Sequence, residues 1–370
     1  GAKVTNDAKS SSGLVSFMDR FSNSIREVAQ NGRRGALMLS CSIQHPDAEK
    51  FIDAKLQDGK VTGANISVRI TNEFMEAVKY DSYYLQKFPI NEDTWDLVDF
   101  KDDPSNCMML KGKVLELNKL YEGKKPGTYV RLIKARSLWN KLMYNAWKSA
   151  EPGILFWDNI TSESPADFYD GYKSISTNPC GELPLNPYDS CRLIALNLYS
   201  FVDNPFTPKS VFNTAKFSKY VKYTQRIMDD IIDIELKHIQ DIINKVQNDP
   251  ESDDVKRAEL ELWSKIYDTT KNGRRTGVGI TAEGDMLAAL NITYGSQQSI
   301  ELCESIHKTL AISSYQSSID LAVERGSFNI WSEEELNTEH KTSKFIDRIL
   351  IEVGEEYRSL WHKYGRRNIG

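Results

Sequence analysis

Residues Ala64 to Asp81 read ANISVRITNEFMEAVKYD. ANISVRIT alternates as a half-buried strand does, and TNEFMEAVKYD follows as a helix with Thr71 or Asn72 as its N-cap. Strand-then-helix is the unit from which parallel α/β sheets are built, and the pattern recurs on both sides. Upstream, FMDRFSNSIREVA carries Phe17, Phe21, Ile25 and Val28 at helical spacing. QNGRRG then breaks that helix, and a strand-like ALMLSCSI leads to a helix start at HPDAEKFIDAK, with Pro46 where a first turn tolerates it. Downstream, Asp81 to Gly123 is polar and irregular and is expected to run over the surface. Leu132 to Ala150 reads as an amphipathic helix and GILFWDNI as a short buried strand.

The second half continues in the same style. VKYTQRIMDDIIDIELKHIQDIINKV places Ile227, Ile231, Ile234, Ile242 and Val246 along a long helix ended by Asp249-Pro250. A second helix, from about Asp253 to Lys271, returns. NGRRTGVGITAEGDMLAAL then gives a glycine-rich turn, a strand and a helix, and two more helical stretches run to Trp361. The opening GAKVTNDAKSSSG is loop-like and the closing YGRRNIG should lead into another strand, so both ends are expected to be truncated relative to a complete domain.

With 40% apolar and 27% charged residues in 370, the chain is ordinary globular material. A net charge of -5 gives no overall attraction to nucleic acid polymers or anionic membranes, so a phosphate-bearing ligand needs a local site. Five cysteines, at 41, 107, 180, 191 and 303, do not form a secreted disulfide framework. No basic, apolar and small-residue signal pattern appears in the opening residues given, and no apolar run reaches the roughly 18 residues needed to span a bilayer. The expected compartment is the reducing cytoplasm.

The chemistry concentrates in NPCGELPLNPYDSC, residues 178–191. Pro179 fixes a backbone angle and Gly181 permits close approach, so a short loop projects Cys180 in a set direction. An extended backbone would put Glu182 on the same side as Cys180, where thiol and carboxylate could face one substrate; a proline-rich surface turn is the plainer alternative. Cys191, before LIALNLYSF, reads alone as a packed cysteine ahead of a buried strand. Neither CxxC pairs nor clustered histidines support zinc, and the five histidines, 45, 238, 307, 340 and 362, read as surface or helix-capping residues. In GRRG, residues 32–35, the arginines could grip a phosphate or simply face solvent. GRRTGVG, residues 273–279, is no P-loop and reads as a strand entry.

Asn178-Pro179-Cys180-Gly181-Glu182, Tyr188-Asp189-Ser190-Cys191 and the run Leu193 to Leu198 together resemble the active-site finger loop of ribonucleotide reductase catalytic subunits. SSGLVSFMDRF, QNGRRGALM, HPDAEKFIDAK, ANISVRITNEFM, Met228-Asp229-Asp230, GRRTGVGITAEGDMLAAL and GRRNIG fall in that family's order, so the resemblance covers nearly the whole chain. NPCGE with GRRGALM is most similar to the adenosylcobalamin-dependent, class II branch. The alternatives are a class I large subunit, served by a metal-bearing radical-generating subunit, and a piece of a split reductase inactive without its partner chains. The resemblance implies a ten-stranded α/β barrel of two parallel five-stranded halves. Residues 1–370 would form one catalytic domain without its first strand and its C-terminal phosphate loop.

The resemblance also implies roles. Cys180 would be the thiyl-radical site, shielded inside the barrel. Glu182 would be the general base and Asn178 would orient Glu182 and a substrate hydroxyl. Cys191 would be one of two redox-active thiols, its partner lying upstream of Gly1; Cys41, Cys107 and Cys303 do not match that partner. Ser12, Gly13, Pro179 and Gly181 would contact substrate, a ribonucleoside di- or triphosphate. Thr5 and Asn6 fall in a first specificity loop and Gln30, Arg33 and Arg34 in a second, sensing a deoxynucleotide or ATP effector. A thioredoxin-like reductant, and a homodimer partner or other chains, complete the implied partners; no metal is held by the chain itself.

Overall fold

The structure is a computed structural model that describes residues 12–28, 32–33, 35–56, 59–89, 107–110, 113–116, 128–190, 192–337 and 343–370. The chain divides into two compact units, Gly1–Thr161 with Ser176–Pro184, and Ser162–Ile175 with Leu185–Gly370.

The first unit runs α1 (Leu14–Glu27), β1 (Met38–Ser42), α2 (Ala48–Asp53), β2 (Asn65–Ile70), α3 (Asn72–Lys79), β3 (Tyr83–Pro89), β4 (Cys107–Leu110), β5 (Lys113–Glu116), β6 (Thr128–Lys134), α4 (Ala135–Ser149) and β7 (Gly153–Phe156). Strands β1, β2 and β7 form a parallel sheet in that order, with Ser40 opposite Ser67 and Ser67 opposite Gly153. Side chains alternate between its faces. One face sends Leu39, Cys41, Ile66, Val68 and Ile154 into a core with Phe51, Ile52, Phe74, Leu138 and Leu142 from α2, α3 and α4. Each fully buried side chain of this kind contributes about 1.5–3 kcal/mol. The other face carries Ser40, Ser42, Asn65, Ser67 and Arg69, a polar row flanked by Met38 and Leu155. Thr71 caps α3 as expected, its Oγ1 accepting from Phe74 N at 3.2 Å.

Two expectations for this unit need correction. The stretch after Asp81 is not all surface excursion: β3 pairs antiparallel with β6 along seven residues, Tyr83 opposite Lys134 through Pro89 opposite Thr128. Leu132 to Lys134 therefore end a strand, and α4 begins only at Ala135. Tyr84, Leu85 and Gln86 are buried in succession, so no alternation marks the strand. Gln86 Nε2 donates to Ile43 O at 3.0 Å, and Tyr84 packs edge-on against Phe74. GILFWDNI, for its part, is a strand only to Phe156, which is exposed, and Trp157 opens the helix α5 (Trp157–Glu163).

Two short strands follow, β8 (Ser176–Thr177) and β9 (Pro184–Leu185). The second unit then contains β10 (Leu193–Asn197), β11 (Val202–Asp203), β12 (Val211–Phe212), α6 (Thr214–Gln247), α7 (Asp253–Gly273), β13 (Gly277–Thr281), α8 (Glu283–Ala289), α9 (Gln297–Arg325), α10 (Lys344–Glu352) and α11 (Glu355–Tyr364). β10 and β13 pair in parallel, Leu193 opposite Gly277, so GRRTGVG does enter a strand. β10 is less buried than LIALNLYSF suggests, with Leu193 exposed.

On α6 the structure buries Phe217, Val221, Met228, Ile232, Ile239, Ile243 and Val246. Ile227, Ile231 and Ile234, three of the five residues that mark the helix in the sequence, stand on its exposed side, while Val246 is buried. The helix has apolar residues on two adjacent faces, and periodicity alone does not choose between them. Leu198, Phe201, Phe217, Met286 and Ile306 make one core, and Tyr315, Ile319, Ile346 and Trp361 another.

The α/β class with parallel strands is thus observed. Among the described residues the parallel strands form a sheet of three in the first unit and a pair in the second. No described helix is long and apolar enough to cross a membrane.

Candidate active site

Residues 178–183 close into a loop between β8 and β9. Asn178 N donates to Leu183 O at 3.1 Å, and Leu183 N donates to Asn178 Oδ1 at 2.9 Å. Asn178 O accepts from Gly181 N at 3.0 Å and from Thr177 Oγ1 at 3.0 Å. Gly181 has φ +92°, a region closed to most side chains, so the tight reversal after Cys180 needs glycine. Two bonds fix the loop to the polar face of the sheet. Ser40 and Ser176 share a hydroxyl–hydroxyl hydrogen bond of 3.0 Å, and Asn65 Nδ2 donates to Pro179 O at 2.6 Å.

The structure brings Asn178, Pro179, Cys180, Gly181 and Glu182 together in this one loop, with three differences from expectation. The backbone from Cys180 to Glu182 is a turn, because Gly181 takes a left-handed φ, not an extended run. Cys180 is exposed instead of shielded, since every bond holding the loop is made by backbone, Asn178 or the sheet, and none covers the thiol. Asn178 does not hold Glu182: its Oδ1 is engaged by Leu183 N, and no described residue accepts from its Nδ2. Asn178 is the staple of the turn.

Ser12 and Gly13 lie just before α1, Gly13 with φ +86° and Ser12 O accepting from Ser16 Oγ at 3.1 Å. Arg33 is exposed in the turn opened by Gly32 at φ +77°. Nearby, Arg26, Gly35, Leu37, Thr62, Gly63 and Asn65 surround a cavity of about 180 Å³. Thr5, Asn6, Gln30, Arg34 and Cys191 lie outside the described residues.

The three cysteines described as free differ sharply. Cys41 is buried, and loss of solvation pushes its thiol up to about 12, against a smaller opposing pull from Arg69. Cys303 is pushed up to about 11, first by burial and then by its 3.1 Å hydrogen bond to Glu283 Oε1. Cys180 alone of the three is exposed. His45 is half-buried just ahead of α2, its Nδ1 accepting from the N–H of Asp47, the N-cap residue, at 3.0 Å.

Sequence reasoning missed a buried ion network in the second unit, on the residues flanking position 191. Arg192 bonds both carboxylate oxygens of Glu235, Thr270 Oγ1 at 2.9 Å and Arg275 O at 3.3 Å. Ser190 Oγ also reaches Glu235, at 3.4 Å. Arg275 donates to Asp189 at 2.6 Å and to Asn186 at 2.9 Å. The neighbouring Arg274 is anchored on Asp229 and Asp233, and Arg325 and Arg367 also reach Asp229. Asp229, Asp230 and Asp233 come close enough to ligate a cation, yet these arginines already engage them. The available signal was GRR, which occurs three times, at 32–34, 273–275 and 365–367.

An exposed thiol thus sits on a stapled glycine turn against one face of a parallel sheet in an α/β fold. Residues 1–368 match the sequence model of the ribonucleotide reductase barrel domain, and the chain belongs to that family. It is 30% identical over 322 residues to a vitamin B12-dependent ribonucleoside-diphosphate reductase of Thermoplasma acidophilum, covering 86% of this chain and 34% of that protein. Similarity to the enzyme of the same name from Mycobacterium tuberculosis is 25% over 331 residues, 89% of this chain and 38% of the relative. A ribonucleoside-diphosphate reductase subunit alpha of Chlamydia pneumoniae is 23% identical over 393 residues, 100% of this chain and 34% of its own length. The chain thus spans about a third of the length of these curated relatives.

Proposed function

We propose that the complete protein reduces ribonucleotides to 2'-deoxyribonucleotides through a thiyl radical on Cys180. The observation that carries this reading is the stapled turn itself, which offers an exposed Cys180 with Glu182 two residues on, in a chain of the reductase family. Ribose has no acidic C–H from which ionic chemistry could start, whereas S–H and an activated ribose C–H are of similar strength. A sulfur radical at Cys180 would take the 3' hydrogen atom, and Glu182 would take the 3' hydroxyl proton. The 2' hydroxyl then leaves as water. Two thiols, Cys191 and a second cysteine, would supply two electrons and two protons and become a disulfide, Glu182 would give its proton back to the 3' oxygen, and Cys180 would return its hydrogen to C3'. Asn178 Nδ2 would hold a substrate hydroxyl beside the turn, its Oδ1 being engaged by Leu183 N.

The names of the Thermoplasma and Mycobacterium relatives favour cobalamin dependence. The exposed thiol fits such a group, because a bulky corrin needs an uncovered face, and Pro179, Cys180 and Gly181 are the residues that would meet it. When bound, adenosylcobalamin supplies removal of a hydrogen atom, with its electron, from a thiol. Shielding of the radical and closure of the ten-stranded barrel would come from the parts of the relatives this chain does not span. Nucleotide effectors sensed by the two loops and a thioredoxin-like reductant belong to the same reading. The Chlamydia relative keeps a second reading open, a large subunit served by a separate radical-generating subunit. Activity with adenosylcobalamin as the sole radical source separates the two.

The test is 3'-hydrogen exchange with solvent in the complete protein given a ribonucleotide, adenosylcobalamin and a dithiol. Cys180→Ser should abolish exchange, and residual exchange would mean that another residue starts the reaction. Cys191→Ser should keep exchange and lose multiple turnover; normal turnover would remove Cys191 from the scheme.

A further inference from the structure

The two tethers between the turn and the sheet differ in where they act. Ser40 holds Ser176, at the base of the hairpin, while Asn65 holds the carbonyl of Pro179. That carbonyl belongs to the peptide unit joining Pro179 to Cys180, and the unit is planar. The proline ring fixes φ of residue 179. The direction of its carbonyl is set by ψ, the last soft dihedral ahead of Cys180. A 2.6 Å hydrogen bond on that oxygen settles it. The donor is itself fixed, since Asn65 opens β2 opposite Met38 and its N–H donates to Leu37 O at 2.8 Å.

We propose that Asn65 is a positioning residue for Cys180, acting through the Pro179 carbonyl. The inference rests on the role proposed above for Cys180. A carboxamide suits this position because it supplies a donor without charge. A lysine or arginine in its place would favour the thiolate over the neutral S–H from which a hydrogen atom is lost. The remaining bonds, Ser40 with Ser176 and the Asn178–Leu183 staple, do not involve Asn65 and keep the hairpin folded without it. Losing Asn65 should therefore free the orientation of the Cys180 peptide and little else.

The experiment compares Asn65→Ala, Asn65→Asp and Asn65→Gln in the complete protein under the exchange assay described above. Asn65→Ala should lower both kcat and the 3'-hydrogen exchange rate by about 10- to 100-fold, the size of effect expected from misplacing a reacting group by an ångström or less. KM for the nucleotide and the melting temperature should stay at parental values. Asn65→Asp, equal in size but lacking the donor, should reproduce the defect, and Asn65→Gln, which keeps the donor, should restore part of the rate. Parental exchange in the Ala or Asp variant overturns the assignment. So does a rate loss that tracks a fall in melting temperature and is equal in the Gln variant, because that is a packing role. Absence of exchange in the unsubstituted protein is a different failure: it sinks the Cys180 reading, and the role of Asn65 with it.

Discussion

The Cys180 turn of the first unit and the interior of the second are held by opposite means. The turn is fixed by uncharged donors and acceptors, Asn65, Asn178, Ser40, Ser176 and backbone amides. The second unit buries guanidinium groups on carboxylates, with Arg366 on Glu335, Arg274 on Asp229 and Arg192 on Glu235. In the proposed reaction the Cys180 sulfur would act as a neutral atom, and nearby positive charge would bias it toward thiolate; a scaffold that only has to stay rigid has no such constraint. Charge thus serves rigidity in the second unit, whereas the bonds that hold the Cys180 loop run between uncharged groups.

The largest expected effect is on the charge-stapled side. Arg366 is buried with Glu335, and Glu335 and Arg366 are each 1% exposed. Burial alone would lower the Arg366 pKa, but the carboxylate and neighbouring Tyr315 and Tyr169 outweigh it and hold the group above its ordinary range. Breaking such a pair by removing one partner leaves an uncompensated charge and costs about 3–5 kcal/mol. Glu335→Ala should lower the urea midpoint accordingly, followed through fluorescence of the buried Trp361 in the adjoining core. A loss below about 1 kcal/mol would break the comparison, since the network would then carry no stability worth contrasting with the turn.

A smaller effect is expected where the first unit relies on shape. Gly63 donates its N–H to Ser22 Oγ at 2.8 Å, and a Cβ built on it would lie 2.5 Å from Ser22 O and 2.6 Å from Arg26 Cγ. The first of these contacts is backbone and cannot swing away. Gly63→Ala should force α1 away from the start of β2 at a cost of about 1–3 kcal/mol, read as a lower denaturation midpoint. Because Asn65 lies two residues on, the same variant sharpens the comparison: a proportionate fall in 3'-hydrogen exchange would tie the packing of α1 to the presentation of Cys180.

Much of this was legible in the residues. β1, β2 and β13 announce themselves through alternation and turn signals, Thr71 through its position before an apolar helix, and the Cys180 loop through its prolines and glycine. What escaped has physical reasons. β3 finds its partner β6 some forty residues away across a long connection, and no local pattern encodes a pairing made at that distance. The buried face of α6 is easily misjudged because Ile227, Ile231 and Ile234 offer a second apolar stripe beside the one that packs. The exposure of Cys180 and the hold of Asn65 on Pro179 are products of tertiary placement. Asn65 precedes that proline by more than a hundred residues, and an asparagine at a strand start has no signature of its own.

The smallest effect concerns the other side of the same sheet. Cys41 looks into the core behind the polar face, and its thiol is raised from an ordinary 9.0 to about 12 by burial. In the unfolded chain that thiol loses its proton near the ordinary value, while the folded protein retains it to about 12. Between these limits the folded state binds more protons, so stability that is fully present below about pH 9 falls as pH rises toward 12. By pH 10 the loss should be on the order of 1 kcal/mol, since a shift of one unit is worth about 1.4 kcal/mol. Denaturation of the parent and of Cys41→Ala at pH 8 and pH 10 isolates this contribution, because every other titrating group is common to both. The gap between the two proteins should change in favour of Cys41→Ala on going to pH 10. A gap that stays constant would show that solvent reaches the Cys41 thiol, and that the first unit's core is less closed against water than its packing implies.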